Sequence, residues 1–485
     1  MIKKIIVVGG GTSGLVTAML LKSAYIKIEI TLIESSDVGI IGVGEGSTEH
    51  WAEFMKRVGI SESEIFLETD ATVKTGIKFV NWNNDSKSYW HSVLQEYSNV
   101  HKNKFPIYYA HVIANKFDQL GMIHEYMNRS MFTPDYIFNQ YHFDTFKLNV
   151  FLHKKARQLG IKFINNKINT VNLSNDGYVD SLVDDSGNVL SADFFIDASG
   201  FNRVIMKHLD TKWIDYSKYL PMNHAIAFQT PGIEDINSFT TSTSMKNGWM
   251  WNIPTQERHG NGYVFCDGYI TTDQAVEEVE AMLGHSINVA KDIKFNAGRI
   301  DKFMKKNCVA VGLSAMFVEP LEASSIGSSI QQGICLVNLL TNYSKDNTVV
   351  EKFYNKTFDK IFDNIVDFIQ IHYITKRDDS AFWKENPFEL TEFNKETLLE
   401  FKHTLPTFHL FDYTFSMFRE NNWIMVLYGL DYIDAKSIEK LWQYYPEGIR
   451  YAVMNEYKKY QNVDSNILIS HREMIKTLIQ GRQSK

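Results

Sequence analysis

The stretch IIVVGGGTSG, at residues 5–14, decides the fold of this 485-residue chain. Its four leading apolar residues are typical of a buried parallel strand, and the residues that follow, to about Leu21, are typical of a helix. Between them, glycines in the spacing GxGxxG allow a tight turn in which backbone N–H groups approach a pyrophosphate. We therefore predict a dinucleotide site at this loop, formed by Gly9, Gly11, Thr12, Ser13 and Gly14.

A second strand-like run, residues 28–33, supports this prediction because an acidic residue follows it. Glu34 comes twenty residues after Gly14, the distance at which a carboxylate accepts hydrogen bonds from an adenosine ribose. A glycine-rich turn alone has the simpler interpretation of a loop without a ligand. The strand, the helix and the acid together favour nucleotide binding.

The composition narrows the class of protein and of partner. Lys and Arg number 50 against 57 Asp and Glu, giving a formal net charge of −7 and a pI near 6.1. This balance disfavours a nucleic-acid or anionic-membrane surface and favours a small-molecule partner. No apolar stretch has the length of a membrane span or of a secretion signal, which predicts a cytoplasmic protein. Neither a disulfide framework nor a metal site is predicted from the spacing of Cys266, Cys308 and Cys335.

The chain changes character after about Gly333. Before it, short strand-like runs alternate with helical stretches, whereas the residues beyond it lose strand signals and form long helical patterns rich in aromatic side chains. We predict a mixed α/β fold. It has a dinucleotide-binding core over residues 1–335, with a substrate-side sheet interleaved at about 80–140 and 205–295, and a mainly helical region over 336–485 that covers the substrate. Strands are predicted at 161–164, 178–183, 194–197, 249–254 and 263–266, and helices at 144–159 and 350–376.

The string GWMWNIP, at 248–254, holds two tryptophans two residues apart. On a strand they share one face, so the ordinary interpretation is a strand that enters a turn at Pro254. The string also resembles a signature of the flavin-dependent tryptophan halogenases, and further strings resemble the same family between Gly9 and about Trp383. These are GVGE at 42–45, KTGIKF at 74–79, YHFD at 141–144 and FVEPLE at 317–322.

This resemblance implies a halogenase with a Rossmann-like FAD domain of the aromatic-hydroxylase type. It implies that FAD arrives as FADH2 from a separate NAD(P)H-dependent flavin reductase, and that O2 and a halide ion (chloride, bromide or iodide) are co-substrates. It further implies that hypohalous acid made at the flavin passes through an enclosed tunnel to Lys74. Assisted by Glu322, the lysine then delivers the halogen to an electron-rich aromatic substrate such as indole or tryptophan.

The two implied catalytic residues have suitable chemistry. Free hypohalous acid is indiscriminate, so a site has to hold it beside one ring carbon, and an amine either hydrogen-bonds it or accepts the halogen. A carboxylate polarises that species and collects the ring proton. Strand periodicity puts Lys78 on the same face as Lys74, and Glu319 lies close to Glu322 in sequence, so Lys78 and Glu319 stay open as alternatives.

The resemblance also implies how the cofactor and the halide are held. A strap over the flavin and two later turns supply further cofactor contacts, and Leu313 stands where hydroxylases of this fold carry an aspartate. The backbone amides of Ser324 and Ser325, at the start of a helix, bind the halide. The tryptophan string fills and dries the tunnel, so that hydroxylation cannot compete. The implied cofactor residues are Gly42, Val43, Gly44, Glu45, Asp197, Gly312 and Leu313, and the tunnel residues are Trp249, Trp251, Ile253 and Pro254.

Substrate binding is the least determined part of the site. His91 matches one member of an aromatic sandwich that holds the indole in tryptophan-using relatives, whereas Val93 stands where a second ring is often found. Tyr413, Glu420 and Trp423 are further candidates, although aromatic residues at such spacings are more often helix core. An FAD-dependent aromatic monooxygenase and a non-catalytic flavoprotein stay open as alternative functions, and a homodimer stays open as the assembly.

Overall fold

A mainly parallel, six-stranded sheet forms around the first strand, Lys4–Val8, in the computed structural model. Strands Glu29–Glu34 and Phe194–Asp197 flank it, both parallel to it. The full order is Met304–Lys305, Cys308–Ala310, Phe194–Asp197, Lys4–Val8, Glu29–Glu34 and Lys162–Asn165, with only the outermost pair, at the Met304 end, antiparallel. The structure describes residues 2–37, 39, 45–85, 87–93, 105–115, 129–133, 138–344, 348–412, 416–461 and 465–480.

A seven-stranded sheet is built from two separate parts of the chain, residues 76–92 and 224–294. Its neighbouring strands are antiparallel except for Phe239–Met245 and Gly76–Val80, which run parallel. The tryptophan string forms a central strand of this sheet. The order is Val289–Lys294, His224–Pro231, Arg258–Phe265, Gly248–Pro254, Phe239–Met245, Gly76–Val80 and Ser88–Ser92.

Smaller sheets join the two large ones to the rest of the chain. One of them brings Glu45–Gly46 and Thr72–Val73 onto opposite sides of Tyr141–Phe143. A second contains Trp213–Asp215, Gly298–Ile300 and Met316–Phe317, and a third contains Ile168–Leu173, Val179–Asp184 and Val189–Leu190. Strand Met131–Phe132 pairs with Ile469–Ser470.

Helices cover the parallel sheet and make up most of the C-terminal part. Thr12–Ala24 packs closely on Ser324–Leu339, because a Cβ at Gly333 would lie only 2.7 Å from Leu20 Cδ1. Within the described residues, none of the helices combines the length and apolar character needed to cross a membrane. The other α-helices are His50–Val58, Glu62–Glu68, Phe105–Ala114, Thr145–Gln158, Thr272–Leu283, Val349–Ile371, Ala381–Glu385, Glu392–Phe401, Glu420–Gly429, Ala435–Tyr444, Glu447–Gln461 and His471–Gln480. Short 3₁₀ turns occur at Gly200–Asn202, Met206–His208, Gly312–Ser314, Pro320–Glu322, Leu340–Asn342, Phe408–Leu410 and Ser465–Ile467.

The predicted elements are found close to their expected bounds. The strand at 194–197 is as predicted, and those expected at 161–164, 178–183 and 249–254 lie within one residue of the observed strands. The helix expected at 144–159 spans Thr145–Gln158, because the Asp144 carboxylate accepts the N–H groups of Phe146 and Lys147 and so caps its first turn.

Two predicted elements were wrong in extent, and one short strand was not predicted. The strand expected at 263–266 is the end of a longer one, Arg258–Phe265. The helix expected to reach residue 376 ends at Ile371. The C-terminal part also contains a short strand, Ile469–Ser470, which has no alternating pattern because it is only two residues long. The division of the chain at residue 335 stays a prediction.

Candidate active site

Lys74 lies at a junction between two sheets. The chain leaves strand Thr72–Val73 of a three-stranded sheet and enters Gly76–Val80 of the seven-stranded sheet. The Lys74 backbone N–H donates to the Gln140 carbonyl at 3.0 Å, which fixes the direction of the turn. The side chain is only 3% exposed. A lysine this buried is unusual, so its surroundings determine its chemistry.

The Lys74 amine has an altered acidity. Burial lowers its pKa to about 8, although the negative charges of Glu322 and Glu49 oppose this shift. Nζ donates to the Ser47 carbonyl at 3.1 Å. A Cβ at Gly46 would lie 3.4 Å from Nζ, so the amine sits directly behind this glycine. Near neutral pH a fraction of the amine is therefore uncharged.

The prediction that Lys74 and Lys78 share a strand face was wrong. Strand periodicity applies to one continuous strand, but Lys74 lies in the junction before the strand that holds Lys78. The Lys78 ammonium is only half-buried and lies over Trp90 and Phe239, 5.3 and 5.8 Å from the ring centroids. Lys78 therefore has an environment of its own, on aromatic faces rather than beside Glu322.

Glu322 is held between two histidines. It ends the 3₁₀ turn Pro320–Glu322 and is buried. Its Oε2 lies 2.7 Å from His91 Nδ1, and its Oε1 lies 2.9 Å from His372 Nε2. Burial alone would raise the pKa of the carboxyl, but the charges and hydrogen bonds of the two imidazoles lower it to about 2. Glu322 is thus ionised at any pH at which the protein would be assayed.

The two rings are also anchored on their far sides. His372 Nδ1 lies 3.1 Å from the Phe368 carbonyl, and its Nε2 lies 2.9 Å from Glu322 Oε1. His91 Nε2 lies 2.9 Å from the Asn422 side-chain amide, and its Nδ1 lies 2.7 Å from Glu322 Oε2. Each carboxylate oxygen is therefore held by a histidine whose ring is itself fixed.

A cavity of about 230 Å³ adjoins this group. Gly46, which screens the Lys74 amine, and Ala323, which follows Glu322, both line it. The start of helix Ser324–Leu339 also lies in its wall, with no side chain capping the first turn. Backbone N–H groups of Ser324 and Ser325 are thus available at the cavity, as the predicted halide site requires.

Three of the four predicted tunnel residues lie in the same wall. Trp249, Trp251 and Ile253 line the cavity, whereas Pro254 lies at the end of their strand, with its carbonyl accepting the Thr72 hydroxyl. The two indoles share a strand face as predicted, with centroids 6.1 Å apart. Trp251 fits only because residue 262 is a glycine, since a Cβ there would lie 2.1 Å from the indole.

The glycine loop has the geometry that a dinucleotide requires. Gly9 has φ +122°, and a Cβ on Gly14 would lie 2.1 Å from the Gly9 carbonyl oxygen. A Cβ on Gly11 would instead meet nothing within 4 Å, so open space faces the loop. Helix Thr12–Ala24 begins there with no side-chain cap and no acid in its first turn. Its unpaired N–H groups fit an FAD pyrophosphate.

Glu34, the predicted ribose ligand, is held by a histidine that the sequence did not single out. His153 Nε2 lies 2.7 Å from Glu34 Oε2, and its Nδ1 lies 2.9 Å from the Asn149 carbonyl. Hydrogen bonds to these two acceptors raise the pKa of His153 against the opposing effect of burial. The same helix donates from Asn149 Nδ2 to the Gly10 carbonyl, which ties the acid to the glycine loop.

The later cofactor residues divide into two groups. Gly312 has φ +59°, and a Cβ there would lie 2.2 Å from Ser13 Oγ, so this turn packs directly on the glycine loop. Leu313 lines the cavity. Asp197 is fully buried, and its carboxylate accepts hydrogen bonds from protein groups within the Asp197–Met206 segment and from Ser314. Its observed role is to fix the turn, and a direct cofactor contact stays a prediction.

The predicted substrate residues His91, Glu420 and Trp423 lie on a strand and a helix that pack together, and their role in substrate binding stays a prediction. His91 holds Glu322, whereas Val93 is half-buried and donates its N–H to the Thr75 carbonyl at 3.0 Å. Glu420 is buried near the start of helix Glu420–Gly429. Trp423 is fully buried against Phe393 and other aromatic rings, as a helix-core residue would be. Tyr413 and the strap residues Gly42, Val43 and Gly44 lie outside the described residues. The remaining predicted strap residue, Glu45, lines the cavity.

The chain is similar to known enzymes in sequence and in fold. A sequence model of the tryptophan halogenase family matches residues 4–446. A tryptophan 7-halogenase of Kutzneria sp. (strain 744) is 30% identical over 432 residues, covering 80% of this chain and 79% of that protein. One from Lentzea aerocolonigenes is 30% identical over 423 residues, covering 79% of each. The crystal structure of a tryptophan halogenase from Shewanella frigidimarina superposes with a TM-score of 0.87 at 25% identity, covering 99% of this chain and 98% of that one.

The family match extends over most of the sequence and includes every string that predicted it. The α/β architecture is likewise that of the solved halogenase, so the predicted fold class and the predicted family are confirmed. The chain belongs to the tryptophan halogenase family of enzymes.

Proposed function

We propose that this enzyme is a FADH2- and O2-dependent halogenase that delivers hypohalous acid through Lys74 to an electron-rich aromatic ring. The observation that carries the proposal is the buried lysine behind Gly46, beside an ionised Glu322 and next to a cavity lined by Trp249 and Trp251. Buried charges of this kind are costly to stability, and they are found mainly where a protein has a functional site.

The residues that would hold FAD are those of the glycine loop, Glu34, Glu45, Gly312 and Leu313. Bound as FADH2, the cofactor supplies the two electrons with which O2 becomes an oxidant of the halide. The cavity is largely apolar, and its two indoles exclude water from the path between the cofactor and Lys74. The N-terminus of helix Ser324–Leu339 supplies N–H groups for the halide.

Lys74 would position the halogen for transfer. With a pKa of about 8, its amine is populated both as an ammonium that donates hydrogen bonds and as a neutral amine whose lone pair accepts the halogen. Glu322, ionised and fixed by two imidazoles, would stabilise the positive charge that develops on the ring. The ring cation is a far stronger acid than a carboxylic acid, so even a carboxylate of low pKa collects its proton.

The proposed substrate is indole or a tryptophan-like arene, because the similar proteins from Kutzneria and Lentzea act on tryptophan. A separate NAD(P)H-dependent flavin reductase is the proposed partner. The test is an assay with that reductase, NADH, FAD and a panel of arenes in chloride, bromide or iodide, read by mass spectrometry. We expect halide-dependent product; hydroxylated product without halide would indicate the monooxygenase, and flavin binding without product would indicate the non-catalytic flavoprotein.

A further inference from the structure

Met316 is an oxidisable residue in the wall of the cavity. It lies on the short strand Met316–Phe317, which pairs with Gly298–Ile300. It is 6% exposed and lines the cavity. Among the described residues that line the cavity, Met316 is the one that contains sulfur. A reactive species formed in the cavity therefore meets a methionine in its wall.

The tryptophan strand carries a second methionine with almost the same burial but different surroundings. Met250 lies between Trp249 and Trp251 and is 5% exposed. Because successive residues of a strand point to opposite faces, Met250 faces away from the two indoles. It belongs to a separate hydrophobic cluster with Tyr263, and it is not among the described residues that line the cavity. The two methionines therefore differ in their access to the cavity rather than in their burial.

The thioether of methionine reacts readily with an electrophilic halogen, because its sulfur is soft and polarisable. A lone pair of the sulfur takes the halogen of hypohalous acid, which gives a halosulfonium ion and hydroxide. The hydroxide oxygen then bonds to sulfur, the halide leaves and the proton is lost to water. The sulfur is thereby oxidised to the sulfoxide and the halogen is reduced to halide. The products are one sulfoxide, one halide ion and one proton for each molecule of hypohalous acid.

We propose that Met316 is a modification site, at which hypohalous acid that is not transferred to a substrate is consumed by oxidising the thioether to the sulfoxide. This inference rests on the proposed function, because the oxidant is the hypohalous acid of that function. The sulfoxide places a polar oxygen in a largely apolar wall, where it is costly without a hydrogen-bond donor. An enzyme that turns over without an arene therefore alters the wall of its own cavity, beginning at Met316.

The indoles of Trp249 and Trp251 compete with Met316 for the oxidant, since they line the same cavity. A thioether is more reactive towards hypohalous acid than an indole, so Met316 should be modified first and should delay damage to the two tryptophans. Met316→Leu removes the sulfur and fills a similar volume. Oxidation in that variant should move to the indoles.

The test is turnover of the FAD-loaded enzyme with a flavin reductase, NADH, O2 and bromide but no arene, with catalase present to remove hydrogen peroxide. Trypsin then releases residues 307–345, whose one methionine is Met316, and residues 247–258, which hold Met250 and both tryptophans. Fragment mass spectra locate the added oxygen. We expect at least about tenfold more sulfoxide at Met316 than at Met250, and only with bromide. In Met316→Leu, the tryptophans of 247–258 should be oxidised or brominated after fewer turnovers than in the parent.

A parallel reaction with indole separates this inference from the proposed function. Brominated indole, together with an unmodified Met316 or with equal oxidation of Met250 when indole is left out, would overturn the inference and leave the proposed function in place. Sulfoxide that forms at Met316 equally well without bromide would assign the oxidation to a peroxide and overturn the inference too. An absence of both brominated indole and bromide-dependent oxidation would remove the proposed function and the role of Met316 together.

Discussion

Lys74 is the residue whose chemistry is most altered by its surroundings. Its proposed task follows the oxidation of the halide, so Lys74→Ala should lose nearly all halogenated product while reduced FAD is still oxidised by O2 and hypohalous acid still forms. The measurement is product by mass spectrometry alongside the rate of flavin oxidation. Lys78→Ala is the matched control, since Lys78 lies four residues away over aromatic rings, and it should halogenate normally.

The competing interpretation treats Lys74 as an ordinary lysine. Loss of a solvated surface lysine changes stability by no more than about 0.5 kcal/mol and leaves activity intact. Lys74→Ala with parental product yield and parental flavin oxidation would therefore contradict the proposed delivery step. Normal FAD affinity in the variant is required for the comparison, because it shows that the cofactor site is intact.

His372 contacts Glu322 Oε1 at 2.9 Å, so its removal should lower the free energy of unfolding. Because the pKa of Glu322 is lowered to about 2, this carboxyl stabilises the fold above its unfolded-state pKa, and that contribution is lost as the pH falls towards 2. His372→Ala leaves a buried carboxylate with one partner fewer, at a cost of about 3 kcal/mol at pH 7. Urea unfolding measures this cost.

The exposed His285 provides the control for this substitution. His285→Ala should leave the free energy of unfolding within about 0.5 kcal/mol of the parent. A His372→Ala variant as stable as that control would mean that the second histidine, His91, suffices to hold the ionised Glu322. The difference between parent and His372→Ala should also shrink below pH 4.5, where Glu322 is protonated in the unfolded chain.

Single residues of the site can be predicted from the sequence only where a distinctive local string contains them. Lys74 and Glu322 lie within distinctive strings, so the resemblance to the family singles them out as candidates. His372 contacts Glu322 from 50 residues away, and His153 contacts Glu34 from 119 residues away. A single histidine on a helix, like His153, or just after one, like His372, has no local signal, because its partner is set by how distant elements pack. Their roles therefore became visible only in the folded chain.

At the scale of elements, the glycine loop offers a substitution that should alter binding without altering the fold. A side chain at Gly11 would point into open space, so Gly11→Val can be accommodated in the free protein. It would then occupy the place of the pyrophosphate and should weaken FAD binding at least about tenfold. Flavin fluorescence titration gives the affinity, and the melting temperature should be nearly unchanged. Parental affinity in Gly11→Val would exclude this loop as the phosphate site.

The strand Arg258–Phe265 supports the tryptophan wall through one glycine. A methyl group at Gly262 would collide with the Trp251 indole at 2.1 Å, so Gly262→Ala should push the indole into the cavity. Overpacking of this kind costs about 1–3 kcal/mol, and product yield should fall with it. Gly268→Ala is the control, because its added methyl would meet only Cys266 Sγ, at 3.9 Å. Equal stability and equal yield in both variants would contradict the supporting role of Gly262.

Most elements were predictable because each has its own period, as in the buried strand Lys4–Val8 and the capped helix Thr145–Gln158. The break between strands Thr72–Val73 and Gly76–Val80 could not be predicted from the sequence. The residues there continue a strand-like pattern, and the change of sheet comes from pairing with Tyr141–Phe143 and Phe239–Met245. These contacts join distant segments, so a local pattern does not contain them.

At the scale of the whole molecule, the strands of the two large sheets alternate along the sequence. Residues 76–92 follow strand Thr72–Val73 of a three-stranded sheet and join the strands of 224–294, whereas the six-stranded sheet takes strands from residues 4–34, 162–197 and 304–310, so neither large sheet is a contiguous segment. Lys74, Gly46 and Trp249 consequently come from separate parts of the sequence and meet at the junction of the sheets. The interleaving expected from the return of strand signals is therefore present, and its consequence is that the cavity is lined by residues from distant parts of the chain, such as Gly46, Trp249 and Ser324.

This arrangement bears on the source of electrons. The single glycine fingerprint that the sequence contains is assigned to FAD, and hydride transfer from NADH requires a place for a second dinucleotide next to the flavin. We therefore predict negligible oxidation of NADH by the purified, FAD-loaded enzyme, and rapid turnover once a flavin reductase is added. Anaerobic stopped-flow absorbance of the flavin measures this directly, with chemical reduction by dithionite as proof that the bound flavin is reducible. Rapid bleaching by NADH alone would refute the prediction and favour an enzyme that reduces its own flavin, as an aromatic monooxygenase does.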